Sequence, residues 1–266
     1  RIVSNFIKDR NEVARILLDM AKTQGTNQPE SSLIAESLTF LMKKYEDVFQ
    51  TVLSGLRGKE ERLFVCFPET VSSLDHNKKR QAIEPLVGFL MSRDSRNSIG
   101  MKEVYDCLVS LGNEKLSEEI VKETSPYLDS RQSRICAIVF SVKICSKFAD
   151  LKLSPKILQV FEKSIKGYFD GHSTEIEGEI CGFLERVRDP QGLPLLMKNL
   201  KSVRNQQFIH ISKAIASIVD ANPSRVNDIV DMLPAAHDEN VIDAILQSFE
   251  NMNKTKIDPR KLLSKI

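Results

Sequence analysis

Asp189-Pro190-Gln191-Gly192-Leu193-Pro194-Leu195-Leu196-Met197-Lys198-Asn199-Leu200 is the stretch on which the fold reading turns. Asp is a strong N-cap, and Pro suits the first helical position, where its missing N–H has no partner to lose. Leu193, Leu196 and Leu200 then fall on one face of the helix. The same device recurs at Ser154-Pro155, Asn222-Pro223 and Asp258-Pro259, with successive prolines 35, 33 and 36 residues apart. Behind each mark the apolar residues stay in register: Leu158, Phe161 and Ile165, then the leucines above, then Val226, Ile229 and Leu233. A second helix follows in each module. Ile176, Ile180, Phe183 and Leu184 correspond to Ile211, Ile215, Ile218 and Val219, and Ile209 corresponds to Ile242. Within the first module, Gly171 suits a left-handed helix cap, and Thr174 with Glu177 has the spacing of a capping box.

A two-helix module of this length belongs to a repeat architecture, because neither apolar stripe can be buried without a neighbour. The ankyrin T-P-L-H-x-A signature and the tetratricopeptide Trp/Gly/Tyr/Ala pattern are both missing. The Asp-Pro followed by L-P-x-L-x-x-x-L resembles the opening helix of HEAT/armadillo-like repeats, and the resemblance runs from Ser154 onward. It implies an all-α chain, a right-handed α-solenoid of antiparallel helical hairpins. Residues 1–113 read as N-terminal hairpins of degenerate repeat character, and residues 114–266 as HEAT-like repeats continuing the array. The family resemblance also implies partner binding along the second helices, which points to Gln207, His210, Lys213, Asp243 and Gln247.

Helical stripes fill the rest of the chain: Val13, Ile16, Leu17 and Met20; Ile34, Leu38, Leu41, Tyr45 and Val48; Ile83, Leu86, Val87 and Leu90; Val104, Cys107, Leu108 and Leu111; Ile135, Ile138, Val139, Val142 and Cys145. Turns are expected at residues 24–29, 92–97 and 111–113. With 38 Lys+Arg against 36 Asp+Glu the net charge is +2, too small for a dedicated nucleic-acid domain. The composition, 41% hydrophobic with 11 Gly and 10 Pro, excludes collagen-like and disordered chains. No stretch reaches the roughly 18 apolar residues of a membrane span. Five cysteines without a C-x-x-C pair suit an intracellular compartment, cytoplasmic or nuclear. An Arg at position 1 suggests a piece of a longer protein.

Tests for chemistry return little. Gly55-Leu56-Arg57-Gly58-Lys59-Glu60 lacks the spacer and the Ser/Thr of a phosphate loop. His76, His172, His210 and His237 are scattered, without the one-turn pairing of metal ligands. Glu175, Glu177, Glu179 and Glu185, like Glu114, Glu118, Glu119 and Glu123, read as acids on solvated faces near helix starts. Gly178 and Gly182, one turn apart, suggest close approach of a neighbouring helix. The expectation is a non-catalytic scaffold without a cofactor or metal, binding another protein or peptide. The alternative is a nucleic-acid-associated array contacting phosphates through Lys198, Lys201, Arg204, Lys213 and the C-terminal Lys/Arg group, while Lys78, Lys79 and Arg80 read as solvated charge.

Overall fold

The computed structural model describes residues 9–23, 29–56, 63–92, 100–129, 134–169, 171–200, 208–231 and 239–252. Among them every regular element is helical and there is no strand. The expected turns at 24–28 and 93–97, the Asp258-Pro259 mark and Leu233 lie outside the described residues. The chain divides into two compact units, Arg1–Tyr127 with Arg131–Ile144, and Leu128–Ser130 with Cys145–Ile266.

In the N-terminal unit α1 (Arg10–Thr23), α2 (Pro29–Lys44), α3 (Glu46–Leu56), α4 (Leu63–Ser72), α5 (His76–Met91), α6 (Met101–Leu111) and α7 (Ser117–Thr124) follow one another. Each helix packs on the helix two places along: α1 on α3, α3 on α5 and α5 on α7 in one layer, α2 on α4 and α4 on α6 in the other. The sequence periodicity causes this, since stripes at three- and four-residue spacing cover one side of each helix and need a partner there. Val48, Phe49, Val52, Phe64, Phe89, Val104 and Leu108 are fully buried. Phe64 and Phe89 stack with centroids 3.9 Å apart, a contact that adds about 1 kcal/mol to their area burial. Pro68 inside α4 has no N–H for the Phe64 carbonyl, and Gly100 closes on that carbonyl instead. Only glycine suits the place: its φ is 81°, and a Cβ would lie 3.1 Å from the Phe64 carbonyl carbon. The expected turn at residues 111–113 falls slightly later, at Glu114 and Lys115, where Lys115 takes φ 72° between α6 and α7.

The division between the units runs through α8 (Ile135–Phe148). The C-terminal unit continues with α9 (Ser154–Ile165), α10 (Ser173–Val187), α11 (Leu193–Leu200), α12 (Phe208–Ala221), α13 (Val226–Val230) and α14 (Glu239–Glu250). Helices α9 and α10 pair, as do α11 and α12; α9 also meets α11, and α10, α12 and α14 pack in a row. All eight second-helix stripe residues, Ile176 to Leu184 and Ile211 to Val219 as matched above, are at most 1% exposed. Each such side chain contributes about 1.5–3 kcal/mol on burial. The first-helix stripe is less uniform, with Ile165 and Val226 half-buried at its margins. Ile209 is 53% exposed and Ile242 half-buried, so that matched pair stands outside the core.

The proline marks share a sequence but not a chemistry. Asp189 caps as expected, its side chain accepting from the Gln191 N–H at 2.9 Å while Pro190 opens a 3-10 turn ahead of α11. Ser154 is buried and donates its hydroxyl to the Asp189 carboxylate; the capping it was expected to perform falls to Asp150, which accepts from the Lys152 N–H at 3.0 Å. Asn222 turns backward and donates to the Ile218 carbonyl at 2.9 Å, closing α12. The left-handed cap of α9 is Gly167 (φ 79°), with Tyr168 N–H on the Lys163 carbonyl at 3.1 Å and Gly167 N–H on Ser164 at 2.9 Å. Gly171 is also left-handed (φ 76°), but it lies outside that cap. No capping box forms at Thr174 and Glu177, because α10 starts without a side-chain cap and Glu177 is buried.

The expected close approach at Gly178 and Gly182 is absent: a Cβ built at either meets no heavy atom within 4 Å. It occurs at Gly192, where a Cβ would lie 2.7 Å from Cδ2 of the buried Leu184. Opposite effects are therefore expected from one substitution. Gly178→Ala and Gly182→Ala should each stabilise by about 1 kcal/mol through helix propensity, whereas Gly192→Ala should cost about 1–3 kcal/mol by overpacking. Urea denaturation of the three variants checks the signs.

Candidate interaction surface

The candidate residues on α12 and α14 are exposed for the same reason their neighbours are buried. Phe208, Ile211, Ser212 and Ile215 face the core, and the helical period leaves His210 and Lys213 outward, beside the exposed Ile209. On α14, Val241, Ala244, Ile245 and Ser248 are buried, leaving Asp243 and Gln247 outward at one-turn spacing. Ser212, which the sequence reading missed, ties α12 to α14, and Ser248 shares its acceptor from within α14. The Ser212 hydroxyl lies between the Phe208 carbonyl at 2.7 Å and the Ala244 carbonyl at 2.9 Å, and Ser248 donates to the same Ala244 oxygen at 2.8 Å. A serine inside an otherwise apolar stripe was the available signal.

Helices α12 and α14 share one row, so His210, Lys213, Asp243 and Gln247 belong to one layer. Lys198 is exposed on α11, in the layer of first helices. Lys201, Arg204 and Gln207 lie outside the described residues, as do His237, Arg57 to Glu60 of the phosphate-loop lookalike and the C-terminal basic group. The row offers a cation, an imidazole, a carboxylate and an amide beside exposed aliphatic carbon. It can make directed hydrogen bonds around an apolar contact.

Other charges that looked solvated are used internally. Lys78 and Lys79 are buried in the first turn of α5. Lys78 Nζ donates to the Met42 carbonyl at 2.6 Å, and Lys79 Nζ to Glu114 at 2.5 Å; Arg80 pairs with Glu119. The Arg80 hydrogen bond holds the Glu119 carboxyl below its ordinary range. In the C-terminal unit the Arg186 guanidinium donates to the Ser146 carbonyl at 3.0 Å and the Ala149 carbonyl at 2.6 Å, completing the end of α8. His76 is exposed at the start of α5, and His172 is half-buried at the N-cap of α10.

Cys107, Cys136, Cys145 and Cys181 are buried and in no disulfide. Burial pushes the Cys107 thiol up to about 12 and raises Cys181 as well, which makes both poor nucleophiles. Among the described residues no three His, Cys, Asp or Glu side chains are grouped to hold a metal ion, and no helix is long and apolar enough to cross a membrane. No model of a known protein family matches the chain, and no curated protein matches its sequence.

Proposed function

We propose that the chain is a helical-repeat scaffold, a right-handed α-solenoid of HEAT/armadillo-like hairpins, that binds a partner protein along its row of second helices. The observation that carries this reading is the row α10, α12 and α14, whose inward faces are buried on one another while His210, Lys213, Asp243 and Gln247 are exposed on α12 and α14. An array of this kind presents equivalent positions side by side, so separate modest contacts add along one ridge. Buried cysteines held in no disulfide among the described residues support an intracellular setting.

Combined alanine substitution of His210, Lys213, Asp243 and Gln247 is expected to reduce recovery of the bound partner from lysate at least about tenfold. Stability should move by no more than about 0.5 kcal/mol per site, as for other surface changes. Undiminished recovery overturns the assignment. Salt separates the phosphate-binding alternative, since affinity carried by Lys198, Lys201, Arg204 and Lys213 on phosphates decays log-linearly as salt rises.

A further inference from the structure

Glu177 is the one acid of its cluster that the helix turns inward, and the interaction surface makes no use of it. Its Oε1 accepts from the Ser164 hydroxyl of α9 at 3.0 Å, and its Oε2 accepts from the Asn199 side-chain amide of α11 at 3.2 Å. All three residues are buried, so one carboxyl joins α9, α10 and α11. Both donors are neutral, and among the described residues no Lys, Arg or His pairs with it. A carboxylate held only by neutral donors in a dry interior is costly. The protonated acid is accommodated by the same groups. Its O–H donates to Ser164 Oγ, whose own proton turns to the Ser173 carbonyl 3.4 Å away, while Asn199 keeps its bond to the other oxygen.

We propose that Glu177 is a proton-linked tie in the C-terminal unit: protonated, it fastens α9, α10 and α11, and on losing its proton it loosens them. Burial raises its proton affinity above the ordinary value of 4.5, and the hydrogen bonds from Asn199 and Ser164 pull it back. Around it, Cys181 on the same helix feels its charge. The titratable side chains of the packed helices, Lys156, Glu162 and Lys163 on α9 with Lys166 just after it, Lys198 on α11, and His210, Lys213 and Asp220 on α12, are exposed or half-exposed, and none is among the groups that shift its proton affinity. The sign follows from linkage. Because the folded value is raised, the stabilisation is full below the unfolded value of 4.5 and is lost as pH rises through the folded value. The exposed Glu162 does the reverse, held below its ordinary range by its hydrogen bond to Lys166.

Glu177→Gln copies the protonated acid at every pH, its amide donating to Ser164 while its oxygen accepts from Asn199. Thermal and urea unfolding of the full chain at steps from pH 5 to pH 8 should show the variant gaining on the wild type as pH rises. Each unit of raised proton affinity corresponds to about a tenfold difference in the folding equilibrium. A constant difference across that range overturns the proposal. A second reading does not depend on the variant folding: in wild-type protein with 13C-labelled glutamate, the Glu177 carboxyl resonance should titrate above the ordinary carboxylate range, and titration at or below it is equally decisive against the tie.

Discussion

Replacing Lys78 by alanine should cost about 3–5 kcal/mol, the loss of a charged hydrogen bond and of a buried aliphatic stem together. The residue is used twice. Its backbone N–H is capped by the Asp75 side chain at 3.0 Å, which starts α5, and its ammonium reaches back to the end of α2. There Nζ donates to the Met42 carbonyl at 2.6 Å, with the Lys43 carbonyl at 3.4 Å, in the last helical turn, where carbonyls lack partners and the helix dipole favours a cation. Glu46 lies 3.6 Å from the ammonium but is largely solvated, so that pair contributes less than about 1 kcal/mol. The Phe49 ring sits 5.6 Å below. Lys78→Met keeps the stem and removes only the donor, so it should cost about 1.5–3 kcal/mol. Urea unfolding of both variants gives the test. A methionine variant as stable as wild type would show that the ammonium completes nothing.

Lys78 also shows where reading the sequence stops. Nothing in Lys78-Lys79-Arg80 distinguishes a solvated run from three inward or paired cations, because their partners Met42, Glu114 and Glu119 stand 35 to 39 residues away. That separation is close to the 33 to 36 residues between the Xaa-Pro marks, but those marks were read only from Ser154 onward. The helical stripes were legible from α2 to α8 apart from the exposed Ile135, but the stripe expected on α1 was misplaced: Ile16 and Met20 are exposed and Val13 and Leu17 half-buried, and the helix buries Ala14, Leu18 and Ala21 instead. Glu177 was legible in principle. It stands three, four and seven residues before Ile180, Cys181 and Leu184, on the buried face, yet the spacing from Thr174 suggested a cap. The proline marks at Pro155, Pro190 and Pro223 located helical starts correctly, while the cap chemistry at Ser154 and Asn222 depended on groups elsewhere in the fold: Asp189 in one case, the end of α12 in the other. The outward placement of His210, Lys213, Asp243 and Gln247 followed directly from the stripe on the opposite side. The partner proposed for them is a different matter, because no spacing within this chain encodes another molecule's surface.

Proline at Ile215 should be at least as damaging as the loss of Lys78, and the pattern of damage is more informative than its size. Ile215 is fully buried in the middle of α12. Proline there removes the N–H that bonds the Ile211 carbonyl and clashes with the preceding turn, at about 3 kcal/mol or more, before the lost isoleucine packing is counted. Ile215→Val keeps the helix and should cost only about 0.5–1.5 kcal/mol. Because α12 packs on α10, α11 and α14, a row held by nearest-neighbour contacts should pass the defect to both sides. Amide exchange should then rise in α10 and α14 along with α12, and less in α9. If α12 alone lost protection, its neighbours would be standing without it, and the stacking on which the proposed binding ridge depends would not exist.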